Sequence, residues 1–276
     1  MDRKDWYLDP GQAQVLLEGL RNRQETVRVS FDLGLSERVL SIEEEDRWDR
    51  ARLQAIASSD CVWQWCGEDW EALEIREDHY LVLRPTEDAP ALEIDGITMH
   101  RRSGTTPWSG VREWVRALRL RGGETVLDCC GGLGYAAISL IEAGAEAVTS
   151  FEIDEDVIRL RRRNPWSRLY ERSDRIDRRC GDVGAGVATL ADATFQVVLH
   201  DPPRLRRAGD LYGRVFYEQL RRVLTAPGGR LFHYTGEPHS RHRPKRIVEG
   251  VVRRLEEAGF QRVRFRREWA GVLAYT

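Results

Sequence analysis

Short apolar runs and helical-period stretches alternate through the second half of the chain. "ETVLDCC" (124–130), "AEAVTSFEID" (145–154), "RIDRRCGD" (175–182), "FQVVLHD" (195–201) and "GGRLFHYTG" (228–236) are each of strand length. Between the first of them lie "YAAISLIEAG" (135–144) and "EDVIRLRRRN" (155–164), the latter closed before Pro165, and a long helix is predicted over 244–258. Strands alternating with helices predict a doubly wound α/β sheet. The last segment, "QRVRFRREWAGVLAYT" (261–276), holds two strands with a tight turn near Arg267. So short a connection makes that pair antiparallel, because parallel pairing needs a crossover.

The first hundred residues follow another pattern. Residues 11–25 read as a helix, "TVRVSFDLGLSERVLSIE" (26–43) as a hairpin turning near Gly34, and 43–60 as a second helix with acids at its start. "ALEIREDHYLVLRP" and "ALEIDGITMHR" read as strands, which makes a small α+β domain. The Gly/Ser/Thr/Pro-rich stretch "RRSGTTPWSG" (101–110) reads as a junction, so the expected domains are 1–104 and 105–276.

Of the 276 residues 41% are hydrophobic and 32% charged, the balance of a globular chain. No apolar run approaches the roughly 20 residues of a membrane span, and the N-terminus has no signal-peptide core, so a cytoplasmic protein is expected. The five cysteines have no zinc-like spacing; Cys61, Cys66 and Cys180 read as structural thiols, and no metal is expected. The net charge of −2 hides an asymmetry. Residues 1–102 carry 13 Lys/Arg against 23 Asp/Glu, whereas 103–276 carry 30 against 22. A basic second half suits a polyanionic partner.

The chemistry concentrates at strand ends. "VLDCCGGLGYAAISL" sets Asp128 at the end of a strand, then Gly131, Gly132 and Gly134 in the turn before a helix. Such a turn lets backbone approach a ligand, and a dinucleotide site uses the same device. Three further acids, Glu152, Asp182 and Asp201, follow the next three strands. Ligands of open α/β sheets bind at those carboxyl edges, where a carboxylate such as Glu152 accepts ribose hydroxyls. An acid beside the loop repels pyrophosphate and suits a cationic ligand portion, an ammonium or a sulfonium.

With that motif order, residues 105–276 resemble the class I S-adenosylmethionine-dependent methyltransferases. The resemblance implies a Rossmann-like seven-stranded sheet with an antiparallel last strand, and S-adenosylmethionine as cofactor. It implies a cofactor site drawn from Asp128, Cys130 (where a glycine is more usual), Gly132 and Gly134, from Glu152 and Ile153 at the ribose, and from Asp182 and Val183 at the adenine. Thr106, in the 105–108 stretch at the start of the domain, is a further candidate, that stretch folding back over the cofactor.

"LHDPPRL" (199–205) stiffens the fourth acid between a strand and two prolines. In the same family D-P-P followed by an aromatic marks many enzymes that methylate amine nitrogens of bases or glutamines. Asp201 and the Pro202 carbonyl then accept hydrogen bonds from the amine, with Pro203 completing the frame, and Asp201 positions the nitrogen rather than deprotonating it. Arg204 replaces the aromatic, and stacking on a base and clamping a phosphate are both open to it. The longer stretch "HDPPRLRRAGDLYGRVFYEQLRRVLTAPGGRLFHYTG" is similar to a group of archaeal predicted methyltransferases that includes an enzyme dimethylating a cytidine 4-amino group in small-subunit ribosomal RNA. That resemblance implies N4-methylation of ribosomal RNA, with Arg204, Tyr212 and Tyr234 at the substrate and Phe216, Tyr217 and His233 as further base-pocket candidates. On the residues alone, Phe216 and Tyr217 read as core of an amphipathic helix and His233 as a core histidine. The basic clusters 159–164, 204–207, 239–246 and 262–267 are candidate phosphate contacts. Two other readings stay open: a methyl- or aminopropyltransferase for a small amine or a protein, and a cofactor-binding assembly factor without catalysis. Oligomeric state is not legible.

Overall fold

The structure is a computed structural model of the full chain that describes residues 6–42, 48–101, 104–203, 209–236 and 244–276. The chain forms two compact units, residues 1–100 with 162–168, and residues 101–161 with 169–276.

In the first unit β1 (Tyr7–Leu8) leads into α1 (Pro10–Arg21), which starts where Asp9 accepts the Gln12 amide at 2.8 Å and Pro10 presets the first turn. β2 (Thr26–Val29) and β3 (Arg38–Ser41) make the expected antiparallel hairpin. α2 (Arg50–Ala57) is shorter than the helix expected over 43–60: Asp49 takes the Ala51 and Arg52 amides and fixes the start at Arg50, and 43–47 lie outside the described residues. β4 (Trp63–Trp65) and β5 (Trp70–Ala72) complete a three-stranded sheet with β1. Four strands then form an antiparallel meander, β6 (Glu74–Arg76), β7 (Tyr80–Arg84), β8 (Ala91–Ile94) and β9 (Ile97–Thr98). Residues 162–168 complete this unit: Arg163 binds Gln64 and Glu71 at 2.8 and 3.1 Å, and the Trp166 indole donates to the Leu33 carbonyl at 2.9 Å.

The second unit opens with α3 (Pro107–Leu118), begun by Thr106 as N-cap, so the junction is half helix. The seven-stranded sheet runs β12-β11-β10-β13-β14-β16-β15. Its strands are β10 (Thr125–Asp128), β11 (Ala147–Glu152), β12 (Ile176–Cys180), β13 (Val197–His200), β14 (Arg230–Tyr234), β15 (Gln261–Arg266) and β16 (Gly271–Tyr275). The first five are parallel, and β16 pairs antiparallel with both β14 and β15, as expected. Among the described residues the further α-helices are α4 (Tyr135–Glu142), α5 (Glu155–Arg163), α6 (Arg168–Arg172), α7 (Val183–Ala188), α8 (Arg214–Val223) and α9 (Pro244–Glu257). β13 is buried throughout, as a central parallel strand covered on both faces must be. β12, at one edge, is charged and largely exposed, which discourages pairing with another chain. Among the described residues no helix is long and apolar enough to cross a membrane.

The amino-terminal end of the sheet is tied by charge. Glu124, ahead of β10, binds the Arg230 guanidinium and takes the Arg121 amide at 2.9 Å; Arg230 also reaches the Arg119 carbonyl at 2.7 Å. Both side chains are buried, so removing one strands the other's charge. Glu124→Ala is expected to cost about 3 kcal/mol in denaturant unfolding; a loss indistinguishable from that of an exposed substitution contradicts this.

Candidate active site

Because β10, β11, β12 and β13 are parallel, their carboxyl ends share one edge, and Asp128, Glu152, Asp182 and Asp201 collect there. The turn after β10 is tied to its neighbours. The Cys129 amide donates to Leu199 O at 3.0 Å, the Gly131 amide to Phe151 O at 2.7 Å, and the Gly132 amide to Glu152 Oε2 at 2.7 Å. Glycine is demanded at two points: a Cβ on Gly131 would sit 2.6 Å from Ser150 Oγ, and one on Gly134, at φ +83°, 2.5 Å from the Tyr170 ring.

Asp128 is fully buried, and Ser150 donates to its Oδ2 at 2.7 Å while Oδ1 makes no hydrogen bond. Burial pushes its pKa up to about 7, against the Ser150 hydroxyl and the nearby Cys130 amide, with Glu152 adding to the rise. Asp201 is half-buried, and loss of solvent, then the Asp128 charge, push it up to about 8. Burial also raises Glu152, whose Oε1 takes the Asp154 amide at 2.9 Å. For the Asp128 and Asp201 acids the folded chain binds more protons than the unfolded one between about pH 4 and pH 8, so they erode stability as pH rises through that window.

Around the other named positions, Ile153 is 64% exposed, an uncovered apolar face beside Glu152, whereas Val183 is buried. Cys130 is partly buried, and burial holds its thiol well above the usual range. Asp182 caps α7 through the Gly184 and Ala185 amides. Thr106 caps α3, and Trp108 meets the Tyr135 ring edge-on at 5.8 Å, bringing the start of α3 to the helix that follows the glycine turn.

The proline turn is held from beneath. The Tyr212 hydroxyl donates to Pro203 O at 3.2 Å, and Arg254 Nε donates to Tyr212 O at 2.7 Å. Behind Asp201, His200 donates from Nε2 to Leu211 O at 3.0 Å, and burial lowers its pKa to about 4. His233, buried 2.9 Å from the Tyr217 hydroxyl, is likewise kept neutral by burial. His233, Phe216 and Tyr217 are therefore interior groups of this support, as their core readings anticipated, and not an open base pocket. Tyr234 is partly buried and tilted against Trp114 at 4.7 Å. Arg204, the remainder of 204–207 and residues 239–243 lie outside the described residues.

Three supporting residues were missed by sequence reasoning: Ser150, Tyr170 and Arg161. Arg161, grouped with the candidate phosphate contacts, is buried; it donates to Gly132 O at 3.2 Å and Glu171 Oε1 at 2.7 Å, and stacks 4.3 Å over Tyr170. Ser150 and Tyr170 carry no local motif; only the three-dimensional approach of the glycines makes them necessary. The resulting set is compatible with S-adenosylmethionine: a buried carboxylate, a second acid on the adjacent strand whose ionisation the first opposes, an acid bound to the turn, and three glycines in that turn.

No protein-family model matches the chain. It is 41% identical over 209 residues to the uncharacterized protein MJ1233 of Methanocaldococcus jannaschii, spanning 75% of this chain and 70% of that one. A ribosomal protein L11 methyltransferase of Streptococcus pyogenes is 30% identical over 99 residues, 36% of this chain and 31% of the relative. Among solved structures, spermidine synthase bound to the transition-state analogue AdoDATO superposes with a TM-score of 0.60 at 18% identity over 73% of this chain and 72% of that one. Spermidine synthase from Thermotoga maritima gives 0.56 at 17% identity over 74% and 71%. The chain belongs to the same family as MJ1233 and has the class I S-adenosylmethionine-dependent methyltransferase fold.

Proposed function

We propose that this protein is an S-adenosylmethionine-dependent methyltransferase that modifies the exocyclic 4-amino group of a cytidine in small-subunit ribosomal RNA. The observation that carries the reading is the rigid Asp201-Pro202-Pro203 turn, braced by Tyr212 and following the strand that pairs with the one ending in Asp128. Bound S-adenosylmethionine supplies a methyl group on a positively charged sulfur. The buried Asp128 carboxylate acts through its charge on the cationic part of that ligand, and Glu152, tied to the glycine turn, is the ribose contact. The Asp201 carboxylate and the Pro202 carbonyl accept the two N–H bonds of the amine and hold its lone pair in line with the methyl group. As the nitrogen gained the methyl carbon, the carbon–sulfur bond would break and leave neutral S-adenosylhomocysteine, and the nitrogen, made cationic, would shed one proton. A carboxylate whose pKa lies near 8 is basic enough to take that proton, which adds a role to the positioning one.

An RNA partner is supported by charge. Residues 103–276 carry 30 Lys/Arg against 22 Asp/Glu. On the edge strand β15, Arg264 and Arg266 alternate on the exposed face while Val263 and Phe265 pack inward, and neither arginine forms an ion pair among the described residues. Guanidinium groups presented in this way suit phosphates.

Purified protein given methyl-labelled cofactor and small-subunit ribosomal RNA is expected to yield N4-methylated cytidine on nucleoside digestion. Asp201→Asn should lower kcat about 100-fold or more while cofactor affinity holds within a few-fold. Equal labelling by the variant, or label in any other nucleoside, contradicts the reading. The raised acids give a second expectation. A cation favours their ionised forms, so binding releases protons and affinity for S-adenosylmethionine should rise from pH 6 to about pH 8, then level off. S-adenosylhomocysteine, without the sulfonium charge, should show a shallower rise in calorimetric titrations; identical pH profiles would count against the acid pair as a cation site.

A further inference from the structure

Nothing in the methyl-transfer reading uses the tryptophans of the first unit. Trp6 stacks on Phe31 with centroids 4.1 Å apart, Trp48 lies nearly parallel to both rings at 5.9 and 6.1 Å, and Trp65 meets Trp70 edge-on at 5.6 Å. Trp70 is buried, but Trp6, Trp48 and Trp65 are only half-buried, and a cavity of about 650 Å³ opens between them. Three large rings that are only half-buried forgo part of the stabilisation that full burial would bring. The volume is that of a ligand site.

The rim decides what enters. Among the described residues it carries Asp49, Glu68 and Asp69 with one arginine, Arg52. Asp49 is occupied with the amides at the start of α2, and Asp69 is bound by Arg52, with Nε to Oδ1 at 2.9 Å. Glu68 is exposed and, among the described residues, forms no ion pair. Residues 1–102 carry ten more acids than bases. Phosphate-bearing ligands are repelled by such a field, whereas a cation is drawn both by it and by the negative faces of the indoles.

We propose that the tryptophan cavity of the first unit is a receptor for a cationic side chain, an arginine or lysine presented by a basic protein segment, with the indoles holding the cation and Glu68 pairing with it. The site lies wholly within the first unit and is independent of the methyl-transfer reading. It gives the acidic unit a partner of opposite chemistry from the one proposed for the basic unit.

The test uses the full chain and two synthetic peptides, acetyl-Gly-Arg-Gly-amide and its citrulline counterpart, titrated against indole fluorescence and indole N–H resonances. The arginine peptide is expected to bind saturably and to shift the Trp48 and Trp65 signals, with the neutral citrulline peptide weaker by about ten-fold. Trp65→Ala should abolish binding. Trp48→Phe, which keeps the packing, should weaken it several-fold, and Glu68→Gln, at an exposed position, should weaken it and flatten its salt dependence. Equal binding of both peptides, tighter binding of cytidine monophosphate in the same cavity, or unchanged affinity in Trp48→Phe and Glu68→Gln would each overturn the proposal. So would a dimer of the free protein that Trp65→Ala splits, since a second copy would then occupy the site.

Discussion

The second unit is organised around two carboxyl groups at one sheet edge, the charge of Asp128 opposing the ionisation of Asp201. Asp128 ends β10, and Asp201 lies two residues beyond Leu199, its register partner on the adjacent parallel strand β13. Burial would alone disfavour ionisation of Asp128, and its charge then raises Asp201 further. A fold does not gain stability by setting two acids side by side in a desolvated edge. On the proposed reading a cation beside the pair makes the arrangement favourable, which suits a ligand bearing a sulfonium and not a pyrophosphate.

Much of the surrounding structure serves to hold that pair still. Ser150 steadies one Asp128 oxygen, and the other stays buried without a hydrogen bond. Arg161 and Tyr170 brace the glycine turn beside it. On the other strand, two prolines stiffen the chain after Asp201, Tyr212 bonds the Pro203 carbonyl, and Arg254 fixes Tyr212 in turn. The neutral histidines beneath complete a packed floor without adding a charge to the site.

The sheet was legible because its strands are short apolar runs punctuated by acids and glycines, and the antiparallel ending followed from the brief connection after Arg266. The four acidic strand ends were legible too, since parallel strands send their carboxyl ends to one edge. What stayed hidden depends on approach between distant residues. Arg161 sits in a run of basic residues indistinguishable by composition from its solvated neighbours, and only the fold buries it on Tyr170. β1, β4 and β5 went unread because two- and three-residue strands carry too little alternation to register. The helix expected over 43–60 was read too long because its acids suit a first turn, but Asp49 is the residue that caps it.

The most direct measurement of the central claim is infrared difference spectroscopy of the carboxyl groups as S-adenosylmethionine is added near pH 7. The account predicts loss of a protonated carboxylic-acid band, partly missing from the start in Asp128→Asn and in Asp201→Asn. A spectrum in which both acids are already ionised before the ligand arrives, or remain protonated after it binds, would contradict it.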